Sequence, residues 1–165
     1  MLPKQIKALY ARNFIFGAED ALVSTVGLLA GIATAGVSRA DILITGTVLI
    51  FVEAFSMAAG SFSSEYETEE YIAKKRVSPA HSTISAIIMF VAYFFFGLIT
   101  IIPYGVVLNN SAYIYSIGVS LISLFVLGLV SARLFKISIW RNTLRLFIVG
   151  AIAIGVGISI GSLVR

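Results

Sequence analysis

The sequence predicts an all-α membrane protein with five transmembrane helices, its N-terminus in the cytoplasm and its C-terminus outside. Three observations carry this expectation. Of 165 residues, 59% are apolar and 12% charged, and the mean hydropathy is +1.00, whereas roughly a quarter of residues are charged in a soluble domain. The apolar residues gather in five runs, each close to the roughly 20 residues of helix that cross a hydrocarbon layer of about 30 Å. When the loops are assigned alternately, the lysines and arginines collect on one side, which marks that side as cytoplasmic. The chain has no cysteine and one histidine, which excludes disulfides and thiolate chemistry and argues against a zinc cluster.

The runs justify themselves in order. The first, Phe14 to Gly36, carries Glu19 and Asp20 and lacks the small-residue cleavage site of a signal peptide, so it is expected to be retained, with the mature chain starting near Met1. The second, Ile42 to Phe62, continues into Ser63 to Arg76 with no helix breaker before Pro79. A helix reaching about Arg76 would project roughly 20 Å past the membrane at 1.5 Å per residue, carrying Glu65, Glu67, Glu69 and Glu70. The third run is Thr83 to Ile102, followed by a polar turn at Asn109-Asn110, and the fourth is Ala112 to Ala132. Lys136 to Asn142 then leads into the fifth, Leu144 to Val164, so one transmembrane domain accounts for residues 1–165.

Alternation places Lys4, Lys7, Arg12, Lys74, Lys75, Arg76, Arg133, Lys136, Arg141 and Arg145 inside, and only Arg39 and Arg165 outside. The net charge of +4 is therefore a topology signal and not a sign of nucleic-acid binding. The inner basic residues near the last two spans are most simply anchors for lipid headgroups. Tyr10, Tyr66, Tyr71 and Trp140 fall near one interface and Tyr104, Tyr113 and Tyr115 near the other, as aromatic belts do. Tyr93 lies mid-span, where its hydroxyl needs a partner inside the bundle.

Three carboxylates, Glu19, Asp20 and Glu53, sit inside apolar runs, where each costs about 2.5 to 3.5 kcal/mol on insertion scales. No lysine or arginine lies deep in any run, so cations or protons are the natural counter-charges. Asp20 and Met57 are expected at one depth. Glu53, Met57, Ser61, Glu65 and Glu69 follow i, i+4 spacing and form one stripe down the second helix. On the first helix, Asp20, Ser24, Gly27 and Gly31 share a face of small and polar residues, and Gly27 with Gly31 permits close helix approach. Carboxylate oxygen with thioether sulfur is a mixed ligand set that favours Fe²⁺ or Mn²⁺ over Mg²⁺ and Ca²⁺. The candidate metal ligands are thus Asp20, Glu53 and Met57, with Glu65 and Glu69 at the inner mouth.

Each has a plainer alternative. Met57 is a common type of gap-filler in cores. The acidic stretch also reads as a solvated helix with local pairs such as Glu70 and Lys74. Glu19 reads as a structural residue at the inner boundary near Arg12, and His81 as a residue at the start of the third helix. The glycines of the last run, Gly150, Gly155, Gly157 and Gly161, serve tight packing that a single chain can satisfy by itself.

Several segments resemble the vacuolar iron transporter family. The family's first helix opens with Gly, two variable residues, Asp-Gly and Leu-Val-Ser-Thr, and the counterpart here is Gly17-Ala18-Glu19-Asp20-Ala21-Leu22-Val23-Ser24-Thr25, then Ala30-Gly31. Its second motif, Ser-Met-Ala followed by Gly-Glu-aromatic and Ser, corresponds to Ser56-Met57-Ala58-Ala59-Gly60-Ser61-Phe62-Ser63. An Asn-Pro opening of the third helix is matched by Ser78-Pro79, and an Arg-x-x-Leu-Arg start of the fifth by Arg141-Asn142-Thr143-Leu144-Arg145. The resemblance implies a homodimer that moves Fe²⁺ or Mn²⁺ out of the cytosol in exchange for protons, with Asp20 and Met57 lining a path at the dimer interface and no permanent cofactor. The chain departs from the pattern at Ala21, at Ser61 in place of a glutamate, and in the join of about fifteen residues where vacuolar members carry a long glutamate-rich insert. Glu53, on the same stripe, is the expected replacement carboxylate. A non-transporting metal-binding or interaction module of the same fold is the alternative. An enzyme is not expected, because the sequence holds no activated nucleophile and no paired Glu-x-x-His motif. The compactness of the chain favours a prokaryotic plasma membrane.

Overall fold

A computed structural model describes residues 3–108 and 111–165; the Asn109-Asn110 turn lies outside them. The elements are α1 (Pro3–Asp20), a π-helical turn (Ala21–Thr25), α2 (Val26–Thr34), α3 (Arg39–Ala73), α4 (Ala80–Val106), α5 (Ala112–Phe135) and α6 (Ile139–Val164), and the described residues contain no strand. The first three run on as a single rod, so the chain has five helices long and apolar enough to cross a membrane. All are longer than the apolar runs that foretell them, because polar first and last turns continue the same backbone hydrogen bonding.

The ends have local causes. Gly36, at φ +87°, closes the first rod: Val37 N–H bonds the Ile32 carbonyl at 3.1 Å and Gly36 N–H the Ala33 carbonyl at 3.2 Å, the paired bonds of a Schellman cap. Ser38 then caps α3, its hydroxyl oxygen accepting from the Asp41 backbone N–H at 3.2 Å. At the far end of α3, Lys74 turns left-handed at φ 50°, so the extension stops at Ala73, just short of the expected Arg76. Pro79 occupies the N-cap of α4, which explains the Ser-Pro dipeptide in front of it.

The first rod is central and touches every other long helix, while α3 pairs with α4 and α5 with α6. Burial is inverted relative to a soluble protein. Asn13, Thr25, Ser82, Ser85, Thr100, Ser116 and Ser120 have no exposed surface, whereas Phe55 is 68% and Ile122 66% exposed. Lipid chains solvate the outer residues as well as a core would, and a hydroxyl turned inward can join one helix to another. One such join is Ser116, whose hydroxyl donates to the Thr100 carbonyl at 2.6 Å.

The expected close approach of glycines occurs within the chain, where α2 crosses α6. A methyl group on Gly31 would come within 2.8 Å of the Gly157 carbonyl oxygen, and methyls on Gly157 and Gly161 would collide with the carbonyls of Gly27 and Gly31. The expectation that Asp20 and these glycines share one face is corrected here. Gly27 and Gly31 are committed to α6, while Asp20 lies within electrostatic reach of Glu53 on α3. The π turn between them adds a residue to one turn, which is worth about 100° of rotation.

Candidate metal path

Asp20 is the last residue of α1 and enters the π turn directly. Ala21 and Ala54, both fully buried, are small enough to admit the Tyr93 ring, and Met57 packs against this cluster. Asp20 and Glu53 act electrostatically on each other and on the Tyr93 hydroxyl. That hydroxyl lies 2.9 Å from the Ser24 hydroxyl, which itself donates to the Asp20 carbonyl at 2.7 Å. Of the candidates chosen from sequence, Asp20 and Glu53 thus lie within electrostatic reach of Tyr93, and Met57 packs against the cluster that contains it. No ion pair engages either carboxylate among the described residues. Two like charges near each other in a poorly polarisable medium repel strongly, and a shared cation or proton relieves that repulsion.

Glu19, one residue away, has Arg145 of α6 as its basic neighbour and not Arg12.

A second polar site lies at the end of the bundle where the chain begins. Glu65 is 7% exposed, Ser61 8% and Asn13 0%. Asn13 Nδ2 donates to Glu65 Oε1 at 2.5 Å, the Ser61 hydroxyl donates to the same oxygen at 3.2 Å, and the Ser61 hydroxyl also lies 3.3 Å from Asn13 Oδ1. Glu65 Oε2 and, one turn on, Glu69 Oε1 are buried without a hydrogen-bond partner. A buried acceptor left in this state costs about 1 to 3 kcal/mol, more when charged, so these oxygens are suited to a cation. Sequence reasoning chose Glu65 and Glu69 and missed Asn13. The available signal was a lone amide at the head of an apolar run, seven residues before Asp20 and so on nearly the same helix face.

Glu53 and Glu65 stand twelve positions apart on α3, about 18 Å of rise. The five candidates thus fall into two groups along the bundle, Glu65 with Glu69 and, further from the chain's first residues along α3, Glu53 with Met57 and Asp20. Among the described residues no three of His, Cys, Asp and Glu gather into a complete metal shell. Nor does the expected Glu70–Lys74 pair form: the Tyr66 hydroxyl donates to Glu70 Oε1 at 2.8 Å, and Lys74 leaves the helix at its left-handed cap. His81 lies in the first turn of α4, as expected, with Nδ1 3.1 Å from the Tyr10 hydroxyl.

Tyr93→Phe tests the deeper arrangement. It removes one buried hydrogen bond and is expected to cost about 1 kcal/mol, read as a lower melting midpoint of the purified protein in detergent. Ser24→Ala should lower it by a similar amount, and the double variant by less than the sum.

Five helices long and apolar enough to cross a membrane define a polytopic membrane protein. More narrowly, the VIT family model matches residues 11–83 and 70–162. The chain belongs to the VIT family, whose activity is membrane transport of metal ions and not enzymatic catalysis. No curated protein matches it.

Proposed function

We propose that the protein exports Fe²⁺ or Mn²⁺ from the cytosol in exchange for protons, as a homodimer in a prokaryotic plasma membrane. The observation that supports this reading is that Asp20 and Glu53 lie within electrostatic reach of each other and of Tyr93, in whose cluster Met57 packs, and that neither carboxylate is in an ion pair among the described residues. Metal enters at the basic, cytoplasmic end, where Glu65 and Glu69 present their unpartnered oxygens. Asn13 and Ser61 hold the other Glu65 oxygen and so aim the carboxylate. Ser61 stands where the family pattern has a glutamate, and the hydrogen bond to Glu65 returns a carboxylate to that level from one turn further along. Deeper in, Asp20 and Glu53 take the ion with Met57, whose sulfur favours softer divalent ions over Mg²⁺. Two carboxylates and one thioether are half of a coordination shell, and a second copy across a two-fold axis supplies the other half. On return, protons take the place of the departing cation in the path. The two matched stretches overlap at residues 70–83, the junction of α3 and α4, which suits a short form without the cytoplasmic insert.

The test is uptake into proteoliposomes loaded with a pH-sensitive dye, comparing Fe²⁺, Mn²⁺ and Mg²⁺. Fe²⁺ or Mn²⁺ uptake with proton movement is expected, and Met57→Ala should weaken it by about tenfold and narrow the preference over Mg²⁺. A second reading, a metal-binding module that does not transport, draws on the absence of a three-ligand cluster in the described chain. Saturable binding with no flux of any ion, from folded protein, selects that reading.

A further inference from the structure

We propose that the end of the bundle remote from the N-terminus holds an anion site that recognises a phosphate group. The cap of the first rod, the start of α3, the end of α4 and the start of α5 enclose a cavity of about 350 Å³, lined by Thr34, Val37, Arg39, Tyr104, Tyr113 and Arg165 among others. Twelve lysines and arginines are present in the chain, and the two that alternation leaves at this end, Arg39 and Arg165, both line this cavity.

Arg39 is half-buried in the first turn of α3. Its Nε donates to the Tyr104 carbonyl at 2.5 Å and its Nη2 to the Gly105 carbonyl at 2.6 Å. Those neutral acceptors hold the guanidinium plane in place and leave its charge uncompensated, with N–H groups to spare. Asp41, the acidic residue of the same turn, is engaged by the Ser38 hydroxyl at 2.6 Å. The amino end of α3 adds a partial positive charge. Tyr104, 2% exposed, contributes to the same wall. A fixed guanidinium with a second arginine lining the same cavity is an arrangement that suits phosphate oxygens. The same charges repel a divalent metal, which separates this cavity from the metal path. At the edge of the bilayer the phosphate is either the phosphodiester of a lipid headgroup or free inorganic phosphate.

Melting of the full-length protein in detergent decides the matter, with dihexanoyl-phosphatidylglycerol, dihexanoylglycerol or inorganic phosphate added to wild type, Arg165→Gln and Arg39→Gln. The phosphate-bearing additive is expected to raise the wild-type midpoint, dihexanoylglycerol to leave it unchanged, and each substitution to remove at least half of the rise. Arg39→Gln also loses the ties to α4, so it is read by the size of the additive-dependent rise and not by its starting midpoint. A rise with the lipid alone assigns a headgroup phosphodiester, with phosphate alone a free anion, and with both a bare phosphate group from either source. No rise with either phosphate compound overturns the site, as does a rise equally large in Arg165→Gln and wild type.

Discussion

Asp20→Ala is expected to lower metal flux in proteoliposomes by about 100-fold or more, while the purified protein keeps its elution profile and melting midpoint. The size follows from the position: loss of a group that merely orients a metal ligand already costs 10- to 100-fold, and Asp20 is proposed as a ligand itself. The intact fold follows from the packing. Asp20 is half-buried and its side chain is in no ion pair among the described residues. The Ser24 hydroxyl bonds its backbone carbonyl, which alanine retains. Removing a carboxylate from an apolar span also removes an insertion cost of about 2.5 to 3.5 kcal/mol, so the variant should melt no lower than wild type. Asp20→Asn separates charge from shape and should fail like alanine. Glu19→Gln is the neighbouring control, and flux near wild type is expected because Glu19 has Arg145 for its neighbour. Full transport by Asp20→Ala would remove this residue from the mechanism.

Gly157→Val is expected to destabilise the bundle by about 3 kcal/mol, at the upper end of ordinary overpacking. Most overpacked sites relax by moving a side chain. Here the obstacle is the Gly27 carbonyl, and one turn along α6 the Gly31 carbonyl blocks Gly161 in the same way. Backbone in the middle of a central helix has no rotamer to adopt, so the two helices must separate. Gly155, on the same helix, has nothing within 4 Å of a Cβ built on it. Gly155→Val therefore adds the same side chain where there is space and should leave stability nearly unchanged. The measurement is the midpoint of unfolding in a mixed-micelle titration with sodium dodecyl sulfate. Equal losses at 155 and 157 would show that valine as such, and not the crossing, is responsible.

Helices were the most legible part of the sequence, since a span must be long and apolar whatever surrounds it. The spacing of the carboxylates along each helix was legible for the same reason: rise per residue converts position into distance along the axis. Direction was harder. The shared face assigned to Asp20, Gly27 and Gly31 assumed an uninterrupted helix, and Ala21-Leu22-Val23-Ser24-Thr25 has no composition that announces a π turn. Partners far along the chain were not legible either. Asn13 and Glu65 are 52 positions apart, and Tyr93 finds Ser24 across 69; each pairing depends on how three helices pack, which no local pattern encodes. For the same reason Glu19 was given the wrong arginine and Glu70 the wrong partner. Small-residue spacing forecast a close crossing but was silent on which helix would supply the other side.

The extra residue held in the π turn makes chain length a variable of this first helix in its own right. Substitution can change which atoms the rod presents to a neighbour. Only an insertion or a deletion can change where its two halves point relative to each other. A chain one residue shorter between Asp20 and Gly27 would wind as a plain α-helix, and it would have to choose between seating its glycines on α6 and keeping Asp20 within electrostatic reach of Glu53. Relatives that keep both contacts should therefore preserve the count of residues between these two positions more strictly than their identity.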